Sequence, residues 1–346
     1  MLLLLALLGA GPFIAPPQPA ILPGSPRQGM VALDPAWPEG LSACEDCHPR
    51  IAAEHAASRH AVAADNPSFR VSWQALPDGW CLGCHMPLAS EQVRVLGRRA
   101  VPGARTEGRS LEGAEGVTCA VCHLRAGTVL TAGEPSVAAR AAHPIQRDRS
   151  LGSPAFCADC HEFPLQEHHP RWPLRLSQTP AQSTVSEWQE TGLSRDCVDC
   201  HMGRSGHRFP GAHDLDLLRR SVSVQARPQG SELLLTLQTR GVGHAMPSGD
   251  PFRSLELEAC ADPDCQQVLH RVALGRRLRR TPTGWVDHED SRIPPPQGRA
   301  PAQRTVTLPA QGVVAWRLSY RLVDARHEAL LPPEEARLLL HQGLLP

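Results

Sequence analysis

Five times along this chain two cysteines stand three positions apart with a histidine directly after the second. The sets are Cys44, Cys47 and His48; Cys81, Cys84 and His85; Cys119, Cys122 and His123; Cys157, Cys160 and His161; and Cys197, Cys200 and His201. Two thiols at this spacing form thioethers to the two vinyl groups of one haem, and the adjoining imidazole then lies beneath the porphyrin to ligate its iron. With 12 Cys and 17 His in 346 residues, random order would give about 0.02 such sets. Five sets therefore predict five covalently attached c-type haems.

Cys-x-x-Cys pairs also bind zinc or act as redox dithiols. Neither use requires a histidine after the second cysteine, and here it follows every time. Cys260 and Cys265 stand outside the motifs, in a strand-rich stretch. They are expected to close a small disulfide loop, with a free thiol pair as the alternative.

The elements that must position these sites are short. Motifs begin at 44, 81, 119, 157 and 197, a near-regular spacing read as one haem per helix-loop unit. Residues 49–64 and 184–191 carry helix signals. The rest of 40–215 is turn-rich, in keeping with 34 Pro and 28 Gly and an aromatic content of 4%. A chain so poor in aromatics needs the porphyrins as part of its core. From about residue 219 the pattern alternates, with strands expected at 221–226, 232–239, 254–259 and 313–320. Residues 276–304, with Arg276, Arg277, Arg279 and Arg280, read as a long exposed loop. The expected fold is a mainly α and irregular multihaem domain over 40–218, followed by a small antiparallel β-sandwich domain over 219–346 that contributes a haem ligand.

Residues 1–25 open on a leucine run too short to span a bilayer. They read as a secretory signal, although no basic residue precedes the run. Export is needed because bacteria attach c-type haem outside the cytoplasmic membrane. A periplasmic chain without an integral span is expected, with redox proteins as partners. Thirty-five basic against thirty-five acidic side chains argue against a nucleic-acid partner.

Further residues carry a resemblance. They are Pro49, Ser58 to Ala61, Gly116 to Cys119, Met202, His207 to Asp214 and Gly243 to Gly249. Over 44–253 the chain resembles the multihaem cytochromes c related to the tetrahaem electron carrier of ammonia-oxidising bacteria. It is more distantly similar to pentahaem nitrite reductase and octahaem hydroxylamine oxidoreductase. The resemblance implies distal iron ligands at His60, His207, His213 and His244, and at His143 by placement only. His55 and His168 are held in reserve, and surface placement is expected for them and for His169, His270, His288, His327 and His341. Met86, Met202 and Met246 read as packing residues.

Two functions compete. One is an electron carrier with mostly bis-His haems. The other is an oxidoreductase with one open haem, at the second motif, acting on a small nitrogen or sulfur compound. The nitrite reductases use Lys as proximal ligand at the active haem, and this chain has no Lys. Hydroxylamine oxidoreductase uses a cross-linked Tyr, and the sole tyrosine here, Tyr320, falls outside the region of resemblance. The carrier is the expected function.

Overall fold

The computed structural model describes residues 42–345 except 76, 98–109, 126, 170–171, 205, 283 and 299. The expected signal segment at 1–25 lies outside the described residues.

Among the described residues, thirteen strands fall into four sheets. Around the motifs, β1 (Leu124–Arg125), β2 (Thr128–Thr131) and β3 (Ile145–Arg147) form one small sheet, and β4 (Glu162–His169) pairs with β5 (Trp172–Ser183) in a second. Towards the C-terminus, β6 (Val222–Gln229), β7 (Glu232–Thr239) and β11 (Gln303–Pro309) form a three-stranded sheet in the order β11-β7-β6. A five-stranded antiparallel sheet runs β10-β9-β8-β12-β13, built from β8 (Ser254–Cys260), β9 (Val268–Thr281), β10 (Gly284–Asp290), β12 (Ala315–Arg321) and β13 (Arg337–Leu344).

This overturns the expected mainly α and irregular haem region followed by a small β-sandwich. Helix accounts for 29% and strand for 32%, and strands occur throughout the chain. Two physical reasons hid them. Pro164 and Pro180 face each other across β4 and β5, with register shifts beside Pro164, and these irregularities break the period-2 pattern on which strand prediction rests. In β9 and β10 the arginines that read as a loop are held by carboxylates of the neighbouring strand. Arg276 meets Asp287 at 2.8 Å and Arg277 meets Glu289 at 3.3 Å. Such cross-strand charge pairs stabilise a ladder without any hydrophobic alternation.

The strands that alternate cleanly form where expected, with β7 spanning 232–239. Its Leu233, Leu235 and Leu237 point inward and are fully buried against Leu255 and Leu257 of β8 and Leu318 of β12. A Cys260–Cys265 disulfide closes the turn after β8. On its other face β8 carries Glu256 and Glu258, both buried. Arg321 reaches Glu256 at 3.0 Å and Arg271 reaches Glu258 at 2.7 Å.

The region before β6 has far less apolar core. Its largest buried cluster is Ala64, Phe69, Trp73, Leu82, Met86, Leu96 and Leu111. Helices there are short. The helix expected over 49–64 ends at Ala56, whereas Thr184–Thr191 forms as read and stops at Gly192, whose φ is +65°. Among the described residues, no helix is long and apolar enough to cross a membrane. The β9–β10 hairpin is tied to β5, because Ser177 and Thr179 hydroxyls donate to the Trp285 carbonyl at 3.0 and 2.6 Å.

Candidate functional site

Motifs two to five lie in short helices, and the first bridges the end of Ser42–Glu45 and the start of Pro49–Ala56. Positions i, i+3 and i+4 share one helix face, so both thiols and the imidazole of a motif project to the same side. The turns are fixed locally. The His48 N–H donates to the Cys44 carbonyl at 2.8 Å, and the His85 N–H to the Cys81 carbonyl at 3.1 Å. Ser153 caps the fourth motif's helix by accepting from the Phe156 N–H, and Asp196 with Asp199 forms a reciprocal capping box on the fifth.

All five turns face one cavity of about 3480 Å³. Every one of the ten motif cysteines lines it, as do His48, His85, His123, His161 and His201. So do His60, His143, His207, His213 and His244, the five candidates named from the sequence. Shared among five haems, the volume gives about 700 Å³ each, within the roughly 300–1,000 Å³ of cofactor pockets. The size fits the expected cofactor.

The donor chemistry fits as well. His201 and His244 face each other with ring centres 6.4 Å apart and planes 7° from parallel. His60 stands 6.1 Å from His161, and His207 stands 6.0 Å from His123. Two imidazoles bound to one metal at about 2.0–2.1 Å, with about 1.2 Å from nitrogen to ring centre, would lie about 6.4 Å apart. The spacing therefore matches a shared metal ion. Among the described residues, no three His, Cys, Asp or Glu side chains converge on one point.

The second ring nitrogen is often tethered too. His85 Nδ1 lies 2.7 Å from the Ala63 carbonyl, His123 Nδ1 2.9 Å from Leu130, His201 Nδ1 2.8 Å from Pro210, and His244 Nδ1 2.8 Å from Ala245. A carbonyl only accepts, so the proton sits on Nδ1 and Nε2 keeps its lone pair. That is the tautomer and restraint that metal-ligating histidines use. Burial pushes His60 down to about 3, aided by His161, and pushes His161 down to about 4, aided by His201 and Arg253. Neutral imidazole is the metal-binding form.

Thiols of different motifs touch and set the order of the sites. Cys44 hydrogen-bonds with Cys119, which draws Cys44 down to about 7 and pushes Cys119 up. Cys197 is likewise drawn to about 7 by Cys157, and the Cys84 thiol is raised by its contact with Cys160. Cys122 lies within electrostatic reach of Cys160. The first motif thus neighbours the third, the third the fourth, and the fourth the fifth. The second branches off the fourth.

The remaining histidines are held differently. His143 follows the helix Val137–Ala142 and lines the cavity. In His213 the Arg59 guanidinium donates to Nδ1, with Glu335 Oε2 at 3.5 Å, and burial followed by Arg59 and Arg253 pushes it down to about 3. His85 is packed face to face on Phe69 at 3.8 Å. His55, expected at the surface, is buried and lines the cavity, donating from Nε2 to the Val117 carbonyl at 2.8 Å. Its position on the buried face of Pro49–Ala56, three residues after Ala52, was the available signal. His288 and His327 also line the cavity. The side chains of His168 and His169 lie outside the described residues. Tyr320 is buried on β12 and reaches the cavity beside Asp250 and Arg253. No local sequence pattern marks it, because sheet pairing alone brings it there.

The chain shares its fold with a solved structure, the penta-heme cytochrome c552 from Thermochromatium tepidum. The TM-score is 0.64 with 20% sequence identity, over 88% of this chain and 98% of that one. The likeness spans both the motif region and the C-terminal sheets. No family model and no curated protein matches the sequence.

Proposed function

We propose that this chain is an exported, periplasmic pentahaem cytochrome c that carries electrons between redox protein partners. The observation that carries the reading is the set of three imidazole pairs, 6.0–6.4 Å apart, at motifs lining one cavity. Each Cys pair would hold one haem through thioethers, and His48, His85, His123, His161 and His201 would bind the proximal side. His207 serves the third site, His60 the fourth and His244 the fifth. His143 and His213 are left for the first and second, His213 once its Nδ1 gives up the Arg59 hydrogen bond that keeps its proton on Nε2. Bound haem supplies a one-electron iron couple, held at low potential by two imidazoles rather than by His and Met. The neighbouring thiols set a continuous run of sites from the first motif through the third and fourth to the fifth. Exposed Cys47 and Cys200 lie at its two ends, where partners can approach. The penta-heme neighbour supports the same count.

A second reading, an oxidoreductase open at the second motif, has one observation in its favour. His85 lacks an imidazole partner among the described ring contacts, and the polar side chains of Asp250, Arg253 and Tyr320 line the same cavity.

Mass spectrometry and a pyridine haemochrome assay of the exported protein test the proposal. Five added haems are expected, and a mass without tetrapyrrole would sink it. Ferric electron paramagnetic resonance separates the two readings. A carrier gives low-spin signals only, whereas a high-spin signal that shifts with nitrite or hydroxylamine favours the oxidoreductase.

A further inference from the structure

His244 arrives on the segment 243–249, which has no regular secondary structure of its own. Its orientation must be imposed from outside. The side chain best placed to impose it is Glu187, on the helix Thr184–Thr191 and only 7% exposed. Each carboxylate oxygen accepts two hydrogen bonds. Oε1 takes the Ser183 hydroxyl at 2.8 Å and Arg292 Nη1 at 2.7 Å. Oε2 takes the Ser248 hydroxyl at 2.8 Å and the backbone N–H of Ala245 at 3.1 Å.

Ala245 is the residue whose carbonyl accepts from His244 Nδ1 at 2.8 Å. The two ends of one residue are therefore in use, with its N–H held by Glu187 and its C=O holding the imidazole. Arg292, itself fixed by Asp290 at 2.7 Å, donates to the Pro247 carbonyl at 3.2 Å. Met246 and Ile293 exchange backbone hydrogen bonds at 2.9 and 3.0 Å. The segment is thus clamped on both sides of His244, and Glu187 is, among the described residues, the one side chain that hydrogen-bonds Ala245, Ser248 and Arg292 together.

We propose that Glu187 is the positioning residue for His244. It fixes the imidazole parallel to that of His201, and it places a buried negative charge beside the fifth haem site. The inference rests on His244 as the distal ligand there. A carboxylate at this distance does two separable things. Its hydrogen bonds orient the ligand, and its charge favours the oxidised, more positive iron.

The test is ferric electron paramagnetic resonance and redox titration of the holoprotein in four forms: wild type, His244→Ala, Glu187→Ala and Glu187→Gln. Glu190→Ala, an exposed site on the same helix, is the control and should match wild type. His244→Ala is expected to turn one low-spin haem of the five high-spin. Glu187→Ala is expected to lose or broaden that same low-spin signal, with exogenous imidazole restoring it. Glu187→Gln keeps an oxygen acceptor but no charge. It is expected to stay low-spin while the potential of that one haem rises. Removing one member of a buried ion pair can prevent folding, and Glu187→Gln then decides alone. An unchanged spectrum and unchanged potentials in the Glu187 variants, with His244→Ala high-spin, overturn the proposal and leave the ligand assignment standing. All haems low-spin in His244→Ala overturn both.

Discussion

Gly116 offers a sharp test of how backbone packing sets the ligand positions. Its φ is +80°, and a Cβ built there would sit 2.8 Å from the Ala61 carbonyl oxygen, 2.9 Å from the Ala63 nitrogen and 2.9 Å from the His60 carbonyl oxygen. All three obstacles are backbone, so no side chain can swing aside. Gly97 has a similar φ of +71° with nothing within 4 Å, and it serves as the control. Gly97→Ala should cost the left-handed strain alone, about 1–2 kcal/mol. Gly116→Ala adds overpacking of about 1–3 kcal/mol and the bond from the Val117 N–H to the His60 carbonyl, about 0.5–1.5 kcal/mol. Its total is roughly 2.5–6.5 kcal/mol, so the two variants should differ by about 1.5 kcal/mol or more, at least about 10-fold in the unfolding equilibrium. Urea titration of the holoproteins measures this. The displaced turn also carries the Ala63 carbonyl that tethers His85, so Gly116→Ala should perturb the low-spin signals as well. Equal destabilisation by the two alanines, with unchanged spectra in both, would refute the argument.

Glu91 is pushed up to about 7 by burial, against the backbone N–H groups of Glu115 and Gly116. The native state then holds this proton more tightly than the unfolded chain does. Its contribution to stability is complete below pH 4.5 and is lost as pH rises through about 7. A stability-against-pH series should show that decline, and Glu91→Gln should flatten it. For Glu256, which is 1% exposed beneath Arg321 and Arg337, Glu256→Ala should cost about 1–3 kcal/mol, because those cations lose one buried acceptor but keep Glu328, read by thermal unfolding. The imidazole planes predict a third result. His201 and His244 lie 7° from parallel, while His60 and His161 are tilted by 56°. Single-crystal or frozen-solution resonance should resolve a rhombic low-spin signal beside more strongly anisotropic ones, and identical signals from all haems would contradict the pairing.

The geometry of the motifs was legible because it is local. Cys-x-x-Cys-His needs only one helical turn to act, so spacing alone places thiols and imidazole on one face. The alternating leucines of β7 were legible for the same reason. What was hidden depends on contacts between distant segments. Tyr320 gives no signal in its own neighbourhood, and only the pairing of β12 with β8 carries it to the cavity. The β9–β10 hairpin was misread because its pairing is written in Arg276, Arg277, Asp287 and Glu289 rather than in apolar alternation. His55 was misjudged because it stands in no ligand motif, although it falls three residues after Ala52 on the buried face of its helix.

The uneven division of apolar core follows from the same economy of residues. From β6 onward, leucines of two sheets close a contiguous core. Before β6, the buried clusters are small, and the largest feature is a cavity of about 3480 Å³ ringed by thiols and imidazoles. Close packing is the normal state of a protein interior, and voids of this size are not sustained by side chains alone. The aromatic residues that would otherwise fill it amount to 4% of the sequence. Porphyrin faces are large, flat and apolar, and under the proposed function they would supply the missing contacts while thioethers would fix their positions. On that reading the cofactor would be structural first, and the ligand geometry would follow from how the core is filled.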